Sequence, residues 1–357
     1  MRSLFLFAAS FCAVLMLTSF LIRIAPGLGL MDMPGGRKNH ERSTPLVGGI
    51  GIAAAVLLAL AAIAPAYAVP LAAAVTLIVA LGICDDLIEL KPSIRFLVET
   101  GACLLVILAG GIVLRTVGNL GGWGPIGMWH LTVAMTAFAV IGVVNAINMA
   151  DGIDGHVAGI GLAAFGAYAL AAREMGMWDE YRLLVVLCGS TAAFAVFNAR
   201  FPWNRQARAF LGDAGSMLTG FLLGIFAVQL TAGNGSPTAG LRTLPPIAAL
   251  WVVVLPLCDC ISLMVRRRRE GRSMFAADRQ HFHHYLLARG CGIGQASLIA
   301  FCLNAACAAI GIGGWLLGWP EPLLFGAFVV LFVCYHRHMR HAFSSTAPWS
   351  GAVKAIP

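Results

Sequence analysis

Residues 137–155 read Ala137-Phe-Ala-Val-Ile-Gly-Val-Val144-Asn145-Ala-Ile-Asn148-Met-Ala-Asp151-Gly-Ile-Asp154-Gly155. An uncharged apolar run gives way to four polar residues at intervals of three. The first part suits the inside of a bilayer and the second a boundary with water, so the stretch predicts a membrane helix that ends on a polar face. Apolar runs recur at Leu4–Ile22, Leu46–Ala64, Ala102–Leu114, Leu218–Leu230, Ile247–Val265 and Leu323–Tyr335. Of the 357 residues 59% are hydrophobic and only 11% charged, where a soluble domain carries roughly 25% charged. Mean hydropathy is +0.85. These values exclude a soluble domain.

The expected fold is all-α: a polytopic integral membrane protein with about eleven transmembrane helices of ~20 residues each. Its spans are predicted near residues 3–25, 46–64, 68–84, 96–114, 129–148, 156–172, 182–198, 214–232, 244–265, 295–313 and 317–335. Residues 1–335 then form a single multi-span domain with loops near 30–45, 85–95, 148–156, 199–213 and 266–294, and 336–357 form a tail. Numbered alternately, one set of connections holds most of the 24 Lys and Arg residues. The positive-inside rule puts that set in the cytoplasm, the N-terminus outside and the C-terminus inside. Asp85, Asp86, Asp151, Asp154, Asp213, His281, His283 and His284 fall on the same side, although they did not enter the assignment. A transport pathway would put polar groups at mid-membrane depth, so this clustering points to a one-sided active site. The net charge of +8 is read as topology, with no nucleic-acid partner. The ten cysteines form no CxxC pair and read as buried hydrophobes. The first apolar stretch is taken as a retained span, not a cleaved signal.

Several segments carry candidate chemistry. In the first cytoplasmic loop, Arg37, Lys38 and His40 lie among glycines and prolines; they either meet an anionic ligand or fix topology at acidic headgroups. The adjacent carboxylates Asp85 and Asp86 repel one another at a membrane boundary, a cost that a metal ion or basic partner offsets. Asn145, Asn148, Asp151 and Asp154 supply hard oxygens suited to Mg²⁺ or Mn²⁺, with Gly152 and Gly155 letting the two aspartates turn toward a common site. Leu211-Gly-Asp213-Ala-Gly215-Ser216 opens an apolar helix whose N–H groups are available to a phosphate, while Asp213 either caps that helix or binds metal. The loop Arg266–His284 contains a run of arginines, Arg279, and His281-Phe-His283-His284. Such imidazoles are either Zn²⁺ or Cu²⁺ ligands or, beside arginines, phosphate ligands and proton donors. The arginine run itself reads as topogenic.

Taken together, NAINMADGIDG, LGDAGSMLTGF, ADRQHFHHYLLARG and the aspartate pair resemble the polyprenyl-phosphate N-acetylhexosamine-1-phosphate transferases (glycosyltransferase 4) over about residues 30–290. Within that family they look most like the bacterial branch that starts cell-surface polysaccharides, such as O-antigen, with N-acetylglucosamine 1-phosphate. The resemblance implies a multi-pass enzyme of the bacterial inner membrane that moves a sugar 1-phosphate from a UDP-N-acetylhexosamine to undecaprenyl phosphate and releases UMP. It implies Mg²⁺ at Asn148 and Asp213, and a catalytic centre of Asp85, Asp86, Asp151, Asp154, His281, His283 and His284. It adds Asn198 and Arg279 as substrate contacts to Arg37, Lys38, His40, Asn145, Gly215 and Ser216 from the segments above, and membrane lipids would surround the chain. His156 stands where the family usually has leucine, and Arg95 where lysine is common. Another UDP-sugar donor, a flippase that binds the same headgroups without reacting, and a homodimer all remain open.

Overall fold

A computed structural model describes residues 2–33, 43–202, 204–232, 243–274 and 280–344. Arg37, Lys38, His40 and Arg279 lie outside the described residues. In chain order the elements are α1 (Arg2–Leu28), β1 (Met31–Asp32), β2 (Thr44–Pro45), α2 (Gly48–Ile63), α3 (Ala68–Ile88), α4 (Pro92–Gly110), α5 (Thr132–Ala150), α6 (His156–Glu174), α7 (Trp178–Asn198), α8 (Gly212–Thr231), α9 (Pro246–Val252), α10 (Val254–Arg269), α11 (Phe282–Ala288), α12 (Ile293–Leu316) and α13 (Glu321–Ser344). Every predicted span falls largely on helix, as hydrocarbon requires of backbone groups that must satisfy one another.

Among the described residues eight helices are long and apolar enough to cross a membrane, or nine if the bent pair α9–α10 is one span. At 16 residues α2 is too short for that test, and α6 is not among the eight. The last helix, α13, runs through residue 336 to Ser344.

The predicted span 244–265 is broken, with α9 and α10 bent by 83°. Pro256 has no N–H to donate to the Val252 carbonyl four residues back. That carbonyl instead accepts from Asn304 Nδ2 of α12 at 3.1 Å. Asn304 is fully buried, so the break is held from inside the bundle.

At the centre stands α8, with 89% of its most apolar window buried against 22% for α1 and 11% for α13. Close approach of backbones explains its position. A Cβ on Gly82 of α3 would run into Ala214, and one on Gly49 of α2 into Gly215. Small residues give such contacts in membranes, where packing replaces the hydrophobic drive. The first turn of α2 is tied to the same place: Gly48 N and Gly49 N donate to the carbonyls of Phe210 and Leu211, each at 3.1 Å, which satisfies N–H groups that a helix start leaves free. Residues 43–49 and 208–216 therefore form one seam at the polar end of the bundle. All ten cysteines are free.

Candidate active site

The Gly82–Ala214 contact decides where the aspartate pair goes. One turn beyond Gly82, Asp86 lies across the start of α8 and accepts from Asp213 N at 2.8 Å and Ala214 N at 3.4 Å. Gly212, at φ 72°, makes the turn into α8, and a Cβ there would strike the Asp86 carboxylate. Two of the N–H groups that the sequence offered to a phosphate are thus taken by the protein's own carboxylate, which the helix dipole favours. Asp85, about 100° further round α3, turns away from α8. Its carboxylate meets Arg95 Nε at 2.6 Å and accepts from Leu90 N at 2.7 Å.

Facing this pair, Asn148 at the end of α5 donates to Asp213 Oδ1 at 2.6 Å and to Ser216 Oγ at 2.9 Å. Two motifs singled out in the sequence therefore touch. Ser216 and Gly215 are buried, the first under Asn148 and the second against α2. Asp151 follows α5. Crowding by the surrounding protein, then the negative fields of Asp213, Asp86 and Asp154, push its carboxyl up to about 8. The side chain still reaches the surface, so like-charge repulsion is the cause with chemical meaning.

Asp154, whose charge also acts on Asp151, has partners of its own. Asp154 pairs with Arg200 Nε at 2.7 Å and accepts from Ala207 N at 3.3 Å, while its backbone carbonyl takes the Ser297 hydroxyl at 2.6 Å. It anchors the 200–207 loop to α12. Asn198 braces the same turn, accepting from Gly155 N at 2.8 Å and donating to Ala209 O at 3.0 Å. Asn145 lies on another face of α5, as the helical drift requires, and donates to Glu99 Oε2 of α4 at 3.2 Å.

The histidine loop reaches the carboxylates through Gly152. A Cβ on Gly152 would overlap the His283 ring, so the missing side chain lets that imidazole rest on the Asp151–Asp154 turn. His283 is buried, and burial followed by the fields of His284, His156 and His281 pushes its pKa well below the usual value, keeping it neutral. His281 stacks on it at 5.5 Å between ring centroids with the planes 2° apart, and His284 lies 4.2 Å from it on the same measure. His156 closes the cluster edge-on at 5.4 Å, so the residue unusual for the family is a wall of the imidazole group.

The arginine run is corrected in half. Arg266 and Arg267 are buried. They donate to the carbonyls of Gln280 and Met274, each at 2.7 Å, and Arg266 stacks over Phe343 at 4.8 Å. Only Arg268 and Arg269 are exposed, as a topogenic residue should be. Sequence reasoning also missed Asp259, which accepts from His281 Nδ1 at 3.0 Å, Phe282 N at 3.1 Å and Tyr335 OH at 2.7 Å. Its signal was available: a lone carboxylate inside the apolar run Ile247–Val265.

Among the described residues no three His, Cys, Asp or Glu side chains form a ready metal cage. The donor set nevertheless fits Mg²⁺, which protein sites commonly hold through one or two carboxylates with water and substrate phosphate completing the shell. Asp85, Asp86, Asp151 and Asp213 gather at one end of the bundle, and among the described residues only Asp85 has a basic partner. The displaced Asp151 carboxyl is the mark of negative charge in excess.

The family described as glycosyl transferase family 4 matches residues 68–231, which contain these carboxylates. An undecaprenyl-phosphate alpha-N-acetylglucosaminyl 1-phosphate transferase of Yersinia pestis is 33% identical, the match covering 90% of this chain and 87% of the relative. Proteins of the same description from Escherichia coli K12 and Haemophilus influenzae are 31% and 30% identical, over 95% and 90% of this chain and 90% of each relative. These matches reach beyond the carboxylates to the histidine loop and both flanks, and the chain belongs to glycosyl transferase family 4.

Proposed function

We propose that the protein transfers N-acetylglucosamine 1-phosphate from its UDP derivative to undecaprenyl phosphate at the cytoplasmic face of the bacterial inner membrane. The observation that carries this reading is the meeting of Asp86, Asn148, Asp151 and Asp213 with the histidine loop at one end of the bundle. The relatives' names supply the donor and acceptor. The basic-residue bias supplies the orientation.

An oxygen of the acceptor phosphate attacks the phosphorus that carries the sugar. A P–O bond forms there, the diphosphate bridge breaks, and the electron pair leaves on UMP. A phosphate monoester with second pKa near ~6 is already largely dianionic at neutral pH, so no side chain has to remove its proton. Positioning and charge neutralisation then account for the catalysis. Asp213 and Asn148 would hold Mg²⁺, with Asp151 beside them; bound there, the ion would neutralise the donor diphosphate. Asp86 fixes the backbone that carries Asp213, and Arg95 holds Asp85 at the membrane boundary. The histidine loop would supply donors to the departing phosphate oxygens.

UMP release by purified protein in detergent, with UDP-N-acetylglucosamine, undecaprenyl phosphate and Mg²⁺, tests the reading. Release should need all three and stop with EDTA. Folded protein that yields no UMP from any UDP-sugar would overturn it in favour of a binding or transport role.

A further inference from the structure

His281 is held from outside its own loop as well as within it. The carboxylate of Asp259, on the far side of the 83° bend between α9 and α10, lies under it with both partners' side chains 8% exposed. Asp259 Oδ1 accepts from Phe282 N and from Tyr335 OH of α13, which leaves Oδ2 for His281 Nδ1 at 3.0 Å. An ionised carboxylate accepts only, so the Nδ1 of His281 carries the proton toward it. The opposite nitrogen, Nε2, is then left as the ring's acceptor. The ring plane is fixed a second time by the stack on His283, which rests on Gly152 between the aspartates. Carboxylate, imidazole, imidazole and glycine turn form one continuous path from a membrane helix to the carboxylate centre.

We propose that Asp259 is a positioning residue: by holding the Nδ1–H of His281, it aims His281 Nε2 at the anionic diphosphate of the donor. This rests on the transferase reading above. The bend at Pro256 has a purpose in this arrangement, since it turns α10 so that Asp259 lies beneath the loop instead of facing lipid. Carboxylates behind functional imidazoles act in this way elsewhere, fixing tautomer and ring orientation.

Asp259→Asn is the discriminating substitution. The amide keeps an oxygen for Phe282 N and Tyr335 OH but presents an NH₂ group to His281, which then must carry its proton on Nε2. The kcat for UMP release should fall roughly 10- to 100-fold with little change in KM for the UDP-sugar. In a His281→Ala background the same substitution should change kcat by less than about 3-fold, because residues that act through one another are not additive. Ser262→Ala, which removes the neighbouring α10–α13 hydrogen bond to His336 Nδ1, separates loss of helix packing from loss of positioning and should leave kcat within about 2-fold. Nitrogen NMR of protein labelled in its histidine rings gives a readout independent of activity: the signal lost in His281→Ala should report protonated Nδ1 in the wild type and protonated Nε2 in Asp259→Asn. An equal loss of kcat in both backgrounds, or an unchanged His281 tautomer, overturns the proposal. Wild-type protein that shows the Nδ1–H signature yet releases no UMP would overturn the transferase reading and leave the Asp259–His281 pairing standing.

Discussion

Two buried polar groups sit at opposite ends of the same helices. At one end Glu180 Oε1 of α7 accepts from Tyr67 OH, which caps α3, at 3.0 Å and from Gln229 Nε2, near the end of α8, at 2.8 Å. At the other end of α3 and α8, Asp85, Asp86 and Asp213 gather with Asp151. The first group is a lone carboxylate held by two neutral donors, with no second carboxylate crowded against it. The second has several like charges and a single basic partner among the described residues. Polarity inside a membrane bundle is therefore not by itself a sign of chemistry. The sign is imbalance, because a fold has no reason to crowd carboxylates unless something else arrives to neutralise them.

Isosteric removal of charge should cost turnover at the crowded end and neither turnover nor much stability at the other. Asp213→Asn keeps an oxygen for Asn148 Nδ2 and relieves repulsion, so melting in detergent should be unchanged or higher. Turnover should nevertheless fall by at least about 100-fold, measured as UMP release at saturating Mg²⁺. Near-wild-type turnover in the Asp213→Asn protein would remove the metal site from the account.

Asp151 gives a smaller effect with a definite sign. Its carboxyl titrates near 8 while no cation is bound, so protons compete with Mg²⁺ below that pH and the competition fades above it. Apparent Mg²⁺ affinity should rise as pH increases from about 6.5 to about 8, by at most about 10-fold per unit for one coupled proton. Asp151→Asn should flatten that rise. Titrations of UMP release against Mg²⁺ at three pH values would measure it, and an equal slope in the variant would assign the linkage to another group.

Much of the active end was legible in the sequence because it lies at helix ends. Asn148 and Asp213 each follow or open an apolar run, and polar residues at such boundaries have few structural reasons to exist. The partners were less legible. That Asp86 caps α8 depends on Gly82 meeting Ala214, a contact between distant segments that no local pattern announces. Asp154 matched Asp151 in spacing, yet its carboxylate is taken up by Arg200 and the Ala207 N–H, which no local pattern announces. The α9–α10 break could be suspected from Pro256, but its permanence comes from Asn304, on a helix well removed in sequence. Local chemistry was readable; which chemistry faced which was set by packing.

The Glu180 end carries the smallest expected effect and the sharpest contrast. Glu180→Gln keeps an oxygen acceptor for Tyr67 and Gln229, so both bonds can survive without a buried charge, and stability should stay within about 1 kcal/mol of wild type. Glu180→Ala leaves both donors unpaired in a site that is only 5% exposed, at about 1–3 kcal/mol, which detergent melting curves would record as a lower midpoint. Neither variant should change UMP release per folded molecule, since the group touches only the ends of α3, α7 and α8 remote from Asp213. If Glu180→Gln lowered turnover as Asp213→Asn does, the two ends would be coupled along α3 and α8. Balance within a polar group would then no longer separate structural carboxylates from reactive ones in this fold.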